Sequence, residues 1–281
     1  MFYFCLSRMK KRTMRDLSSI SAPVAEDLQR FEEAFVQSFS EGTASMEDVF
    51  EYVRDSKGKR LRPMMVFLAA RLFADPNEAT LRTALFVETV HTATLIHDDV
   101  VDNSAERRGK PSMHVRWDAP TAVLMGDYLL SKAMMLLTGP DDLPVLREML
   151  TTALSMSEGE LMQQKQKREG YRQEDYLEIV TRKTALLFQS CCSGGALSVH
   201  ADGDAVRRVA DFGRNLGVVF QLRDDMLDAD AAEEMTLAET LLPQYLERGY
   251  AALDALAPLT PNKDVLETLR ELLSFCATRL S

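Results

Sequence analysis

The sequence predicts an all-α fold, a single-domain helical bundle of about ten helices. Three observations carry this. Apolar residues recur at spacings of three and four along almost every segment, strand-like alternation is nearly absent, and the breaks are short Pro or Gly punctuation. With 281 residues, 46% of them hydrophobic, the chain can bury a substantial core.

Taken in order, "PVAEDLQRFEEAFVQSF" (23–39) sets Val24, Leu28, Phe31, Phe35 and Phe39 on one helical stripe. Helical patterns continue over 46–55, 61–74, 78–102, 119–137, 142–168, 173–190, 204–229, 236–256 and 262–280. Pro76-Asn77, Gly139-Pro140, Gly194-Gly195 and Pro258 with Pro261 are expected to end helices or open turns. No repeat, low-complexity segment or long linker interrupts the pattern, so residues 22–281 read as one domain. Residues 1–21 read as a leader, disordered in part, with Met9 or Met14 as alternative starts. Its apolar patch precedes its basic residues, the reverse of a secretory signal.

A formal charge of −10 disfavours a general nucleic-acid-binding surface but leaves room for a local basic pocket. No apolar run approaches the roughly 20 residues of a transmembrane segment. The cysteines are Cys5, Cys191, Cys192 and Cys276, without a C-x-x-C spacing, so neither a disulfide framework nor a zinc site is indicated. A reducing, cytoplasmic setting is expected.

Two acidic clusters stand out. "LIHDDVVDNSAERRG" carries Asp98, Asp99 and Asp102, and "QLRDDMLDADAAEEM" carries Asp224, Asp225 and Asp228, both at i, i+1 and i+4 within apolar frames. On a helix, i and i+4 share a face and i+1 lies about 100° round it. One such triplet reads most simply as solvated surface charge. Two in matching frames point to a hard cation, because Mg²⁺ takes oxygen ligands and shares them with substrate phosphates.

Bases accompany the acids. "KGKRLRP" holds Lys57, Lys59, Arg60 and Arg62, and "ERRG" places Arg107 and Arg108 just after the first triplet. Each alone reads as an exposed basic face. Beside an acid triplet in an apolar frame they fit a diphosphate held partly by metal and partly by guanidinium. His91 lies two turns before Asp98 on the same face and could donate to a phosphate. His97 is harder to place, and for both the alternative is a satisfied helix histidine.

In this order, "GKRLRP", "HTATLIHDDVVDNSAERRG", "MGDYLLSKA", "GELMQQ", "RKTALLF" and "GVVFQLRDDMLD" resemble the trans-polyprenyl diphosphate synthases. "HTATLIHDD" is most similar to members making long products. The likeness runs from about Ala22 to Asp228 and resumes weakly over the last forty or so residues. The resemblance implies helices around a deep central cavity, of the isoprenoid synthase type. It also implies three Mg²⁺ ions on an allylic diphosphate and a homodimer. Asp98, Asp102 and Asp224 would bind metal directly, with Asp99, Asp225 and Asp228 assisting. Arg107 would touch the allylic diphosphate, and Lys59, Arg62, His91 and Arg108 would hold isopentenyl diphosphate. Lys183, Thr184 and Gln221 would line the site near the allylic carbon. Small residues at Ala93, Thr94 and Thr89, with bulk returning at Phe86, imply a long product tunnel along the helix that ends in the first Asp motif. That helix spans about 18 Å from Asp98 to Phe86. A medium- or long-chain polyprenyl diphosphate, about six to eight units, is the implied product.

One departure qualifies the likeness. The family continues past its second Asp motif through a lysine-bearing loop, whereas here no lysine occurs between Lys183 and Lys263. Asp230, Glu233 and Glu234 stand where positive charge is expected, and about fifty residues are missing against the usual length. A weakly active or non-catalytic subunit of a prenyl synthase is therefore an alternative. A class I terpene synthase is another, disfavoured by "DDMLD" and "GKRLRP".

Overall fold

The structure is a computed structural model that describes residues 16–39, 46–55, 58–139, 141–170, 172–227 and 232–279. Asp16 accepts the Ser19 N–H at 2.9 Å and so opens α1 (Leu17–Ser21), whose Ile20 is buried. This helix lies inside the segment read as a leader; residues 1–15, with Met9, Met14 and Cys5, lie outside the described residues. α2 (Ala25–Ser38), α3 (Glu47–Arg54) and α4 (Leu61–Arg71) follow. A reciprocal capping box between Asn77 and Thr80 starts α5 (Glu78–Val101).

A two-residue hairpin, absent from the sequence expectation, comes next: β1 (Glu106–Arg107) pairs antiparallel with β2 (Lys110–Pro111). Its loop residues Arg108 and Gly109 have φ of 53° and 75°, the left-handed backbone that both central positions of a type I′ loop require. The short α6 (Met113–Arg116) leads to α7 (Ala119–Leu136), capped by Asp118, and then to α8 (Leu143–Glu169). α9 (Gln173–Val180) runs through a π-helical turn, Thr181–Ala185, into α10 (Leu186–Ser198). α11 (Gly203–Leu227), α12 (Ala232–Leu256) and α13 (Lys263–Thr278) complete the chain.

Helices apolar on every side must be surrounded by others. α4 buries every residue from Pro63 to Ala70, and α10 buries ten of its residues, so these two lie at the centre beside α5. Gly194 and Gly195, expected to break the chain, instead sit inside α10. A Cβ on Gly195 would fall 2.2 Å from the Val66 carbonyl oxygen of α4, and one on Gly194 would fall 2.6 Å from Met149 Cε of α8. They are close-packing residues, and the helix ends only at Ser198, which is tied to Thr80 Oγ1 at 2.7 Å.

Around this centre α2 and its C-cap residue contribute a ladder of Phe31, Phe35 and Phe39, with successive ring centroids 5.6 and 5.1 Å apart. The far end of the chain is fastened back onto α4: Thr260 Oγ1 donates to the Leu72 carbonyl, and Asn262 Nδ2 donates to that of Arg71 at 3.2 Å. That anchoring carries the end of α13 across the C-terminal end of α11. No helix among the described residues is long and apolar enough to cross a membrane.

Candidate active site

The C-terminal ends of α5 and α11 carry the two acid clusters, and Asp98 and Asp224 open onto one cleft of about 790 Å³. Their neighbours are held elsewhere. Asp99 is buried and accepts Arg107 Nε at 2.9 Å, the hairpin turning Arg107 back onto it. Asp102 accepts Lys167 Nζ of α8 at 2.6 Å. Asp225 accepts the Tyr176 hydroxyl and Gln221 Nε2, the latter at 2.9 Å. Thr184 Oγ1 donates to Gln221 Oε1 at 2.8 Å, which orients that amide. Asp224 is met by Arg279 Nη2 at 2.5 Å. Asp228 and Lys57 lie outside the described residues, as do Asp230 and the side chains of Glu233 and Glu234.

Burial pushes Asp98 up to about 6, Glu160 and Asp102 add to that, and Lys183 and Arg107 oppose it. Burial also raises Asp102, but the Lys167 hydrogen bond and charge outweigh it and hold the carboxyl below the usual range. Glu160, which the sequence reading passed over inside "GELMQQ", enters the site beside Asp98 with its Oε2 2.5 Å from Lys183 Nζ. Lys183 also donates to Gln163. The π turn at 181–185 inserts an extra residue into an otherwise α-helical run, and Lys183 and Thr184 project from it.

A second wall is cationic. Arg62 Nη1 donates to His91 Nε2 at 3.0 Å, and its guanidinium lies 5.2 Å from the Phe188 ring centroid. Burial first, then Arg62, Arg108 and Arg107, keep His91 well below the ordinary histidine range, so the ring is neutral and its proton sits on Nδ1. Arg62 Nε is buried without a hydrogen-bond partner. Arg62, His91 and Arg108 line the main cleft and also an adjoining cavity of about 500 Å³ with Lys59. An orphaned buried N–H among positive groups is the signature of an anion site. Arg60 also lines the adjoining cavity, but its guanidinium is paired, at 2.6 Å from Glu32 and 2.7 Å from Glu88, and so fixes the stretch of chain that presents Lys59 and Arg62.

Thr94 and Leu95 line the main cleft, whereas Ala93, Thr89 and Phe86 are enclosed in the core. The tunnel wall expected along α5 therefore reaches the cleft only at Thr94. His97 also faces the cleft and bonds to the Val123 carbonyl at 3.1 Å, above Gly126, where a Cβ would fall 2.1 Å from the ring. Among the described residues no three metal-ligating side chains converge into a self-sufficient cage. The donor set still fits Mg²⁺: it is all-oxygen and anionic, and it opens onto a cleft with room for further oxygen ligands.

Residues 43–238 match the protein-family model described as polyprenyl synthetase. A nonaprenyl diphosphate synthase of Rhodobacter capsulatus is 36% identical over 213 residues, covering 74% of this chain and 65% of that protein. The geranylgeranyl diphosphate synthase of Sulfolobus acidocaldarius is 37% identical over 187 residues, 64% of this chain and 57% of that one. The chain thus spans less than two thirds of these relatives' length. Among solved structures, a Caulobacter crescentus polyprenyl synthase complexed with calcium and isoprenyl diphosphate superposes with a TM-score of 0.82 at 27% identity. That superposition covers 96% of this chain and 100% of the other.

The raised Asp98 fixes a pH dependence. An acid whose folded value lies above its unfolded one costs stability when ionised, so the cost grows as pH rises from about 4 to 6 and is complete above it. Asp98→Asn is therefore expected to stabilise the metal-free protein at pH 8, by at most about 2 to 3 kcal/mol, and not at pH 4. Urea titrations at the two pH values check this; equal effects at both would exclude it.

Proposed function

The chain belongs to the polyprenyl synthetase family, and from that premise we propose that it is a prenyltransferase. It condenses isopentenyl diphosphate head-to-tail with an allylic diphosphate, making a medium- or long-chain trans-polyprenyl diphosphate. One observation carries the reading: the Arg62–His91–Arg108 wall and a carboxylate from each acid cluster face the same cleft. An anion site and a cation site share one space to which Leu95, Met156, Leu187 and Phe220 add apolar surface.

Residue chemistry follows from that layout. Lys59, Arg62 and Arg108 hold the isopentenyl diphosphate, and neutral His91 donates from Nδ1 or stays paired with Arg62. Asp98, Asp102 and Asp224 would hold Mg²⁺, which would supply electrostatic stabilisation of the charge developing on the departing diphosphate. Asp99 and Asp225 act indirectly, the first by fixing Arg107 toward the allylic diphosphate and the second by fixing Gln221. Thr184 and Gln221 offer side-chain oxygens to the allylic cation, and the apolar walls keep water from it. The isopentenyl double bond then attacks, and a proton leaves to the released diphosphate. No Ser or Cys nucleophile is required.

A homodimer fits the exposed apolar side chains of α7 and α8, among them Leu124, Met135, Leu150 and Leu154. Light scattering at micromolar concentration is expected to give twice the chain mass. The purified chain, given farnesyl diphosphate, isopentenyl diphosphate and Mg²⁺, is expected to release longer prenyl diphosphates and to stop in EDTA. No product from the chain alone, with activity restored by a second subunit, would assign it the regulatory role instead. Thr94→Phe is expected to shorten the product, since Thr94 is the small α5 residue that meets the cleft. Ala93→Phe, by contrast, is expected to fail by overpacking the core. Product sizing by chromatography distinguishes them; an unchanged distribution in Thr94→Phe would place the growing chain elsewhere.

A further inference from the structure

On the acidic side of the cleft each cation has a carboxylate partner. Arg107 is fixed to buried Asp99, and Lys183 is enclosed with Glu160 and Gln163. Arg279 meets Asp224 but is also anchored without it: Nη2 donates to the Phe220 carbonyl at 3.2 Å, and the guanidinium lies 4.0 Å from the Phe220 ring centroid. Lys167 differs from all three. It stands in the last turn of α8, its side chain about half exposed, and its ammonium rests on Asp102. It lines a side cavity of about 300 Å³ that shares Lys183, Thr184 and Gln221 with the main cleft, so the ammonium stands on the rim of the proposed allylic site.

We propose that Lys167 is a binding residue for the allylic diphosphate, parked on Asp102 while the site is empty and handed to the substrate when metal takes that carboxylate. The inference rests on the reading of the cleft as an allylic-diphosphate site. The physical reason is competition for one negative charge. A divalent cation on Asp102 neutralises the charge that holds the ammonium and repels it, so loading Asp102 weakens the hold on Lys167. Its four-carbon stem can swing a few ångströms, and the diphosphate then carries the uncompensated negative charge nearest to it. Lys167 thus supplies a cation at a rim where the chain between Lys183 and Lys263 provides no other lysine.

The test compares wild type, Lys167→Met and Lys167→Arg for binding of farnesyl thiodiphosphate, a sulfur-bridged analogue that resists ionisation, in saturating Mg²⁺ by calorimetry. Lys167→Met is expected to bind it about tenfold more weakly, the worth of one charge-assisted contact, and Lys167→Arg within about threefold of wild type. The KM for isopentenyl diphosphate is expected to stay unchanged. Without substrate, Mn²⁺ followed by electron paramagnetic resonance is expected to bind Lys167→Met more tightly, because Asp102 is freed. Tighter Mn²⁺ with unaltered analogue affinity would show that Lys167 only blocks Asp102, and would overturn the proposal. Weakened Mn²⁺ would overturn it too, by assigning Lys167 a structural role. A wild type that does not bind the analogue at all would sink the allylic-site reading itself, a result distinct from either.

Discussion

Carboxylates gathered at the ends of helices repel one another, and that repulsion is the constraint around which the site is organised. Both acid clusters stand at helix C-termini, Asp98 to Asp102 on α5 and Asp224 with Asp225 on α11, where the peptide dipoles already point their negative ends. An acid there is disfavoured twice, by its neighbours and by its own helix. The chain answers with a basic side chain for most of these carboxylates: Arg107 for Asp99, Lys167 for Asp102, Arg279 for Asp224. Among the described residues Asp98 has no direct basic partner, and it bears the strain as an elevated affinity for a proton. A cation entering the cleft relieves what the helices impose.

The scaffold makes that arrangement possible by stiffness. α4, α5 and α10 are packed so closely that glycine is required where α10 crosses α4, and the carboxylates at the far end of α5 inherit that rigidity. The hairpin after α5 serves the same purpose at short range. A left-handed turn at Arg108 and Gly109 reverses the chain within two residues, so adjacent arginines serve different partners. Arg107 returns to Asp99, while Arg108 faces Arg62 and His91 across the anion pocket. The π turn does likewise for Lys183 and Thr184, bringing them to Glu160 and Gln221.

Much of this was legible in the sequence because periodicity reports helices well, and nine of the ten expected helical stretches follow it to within a few residues, the exception being 173–190, which runs on to Ser198. The placing of Asp98 and Asp224 at the C-terminal ends of two helices was legible for the same reason. The misses are contacts between elements distant in sequence. Nothing local to Gly194 and Gly195 says that they will meet α4 and not break α10, and nothing local to Arg279 says that it will reach Asp224. Ala93 and Thr94 are both small, and only the packing of α5 decides that one meets the core and the other the cleft. Glu160 and Lys167 sit seven residues apart on α8, two helical turns, and face the same end of α5. That periodicity was available, but it gains meaning only once α8 is known to lie against α5.

The two walls of the cleft differ in how far they are prepared for an anion, and this difference bears on how the site can act. On the guanidinium side the geometry is already set. Arg62 is fixed between His91 and Phe188, it retains a buried N–H without a partner, and the neutral imidazole adds no competing charge. A diphosphate entering there replaces water and finds donors in place. On the carboxylate side the same anion would meet negative charge until a metal ion reverses the sign of the surface. On the proposed reading, binding at the two walls would be controlled by different quantities, the diphosphate alone on the guanidinium side and the diphosphate together with metal on the carboxylate side.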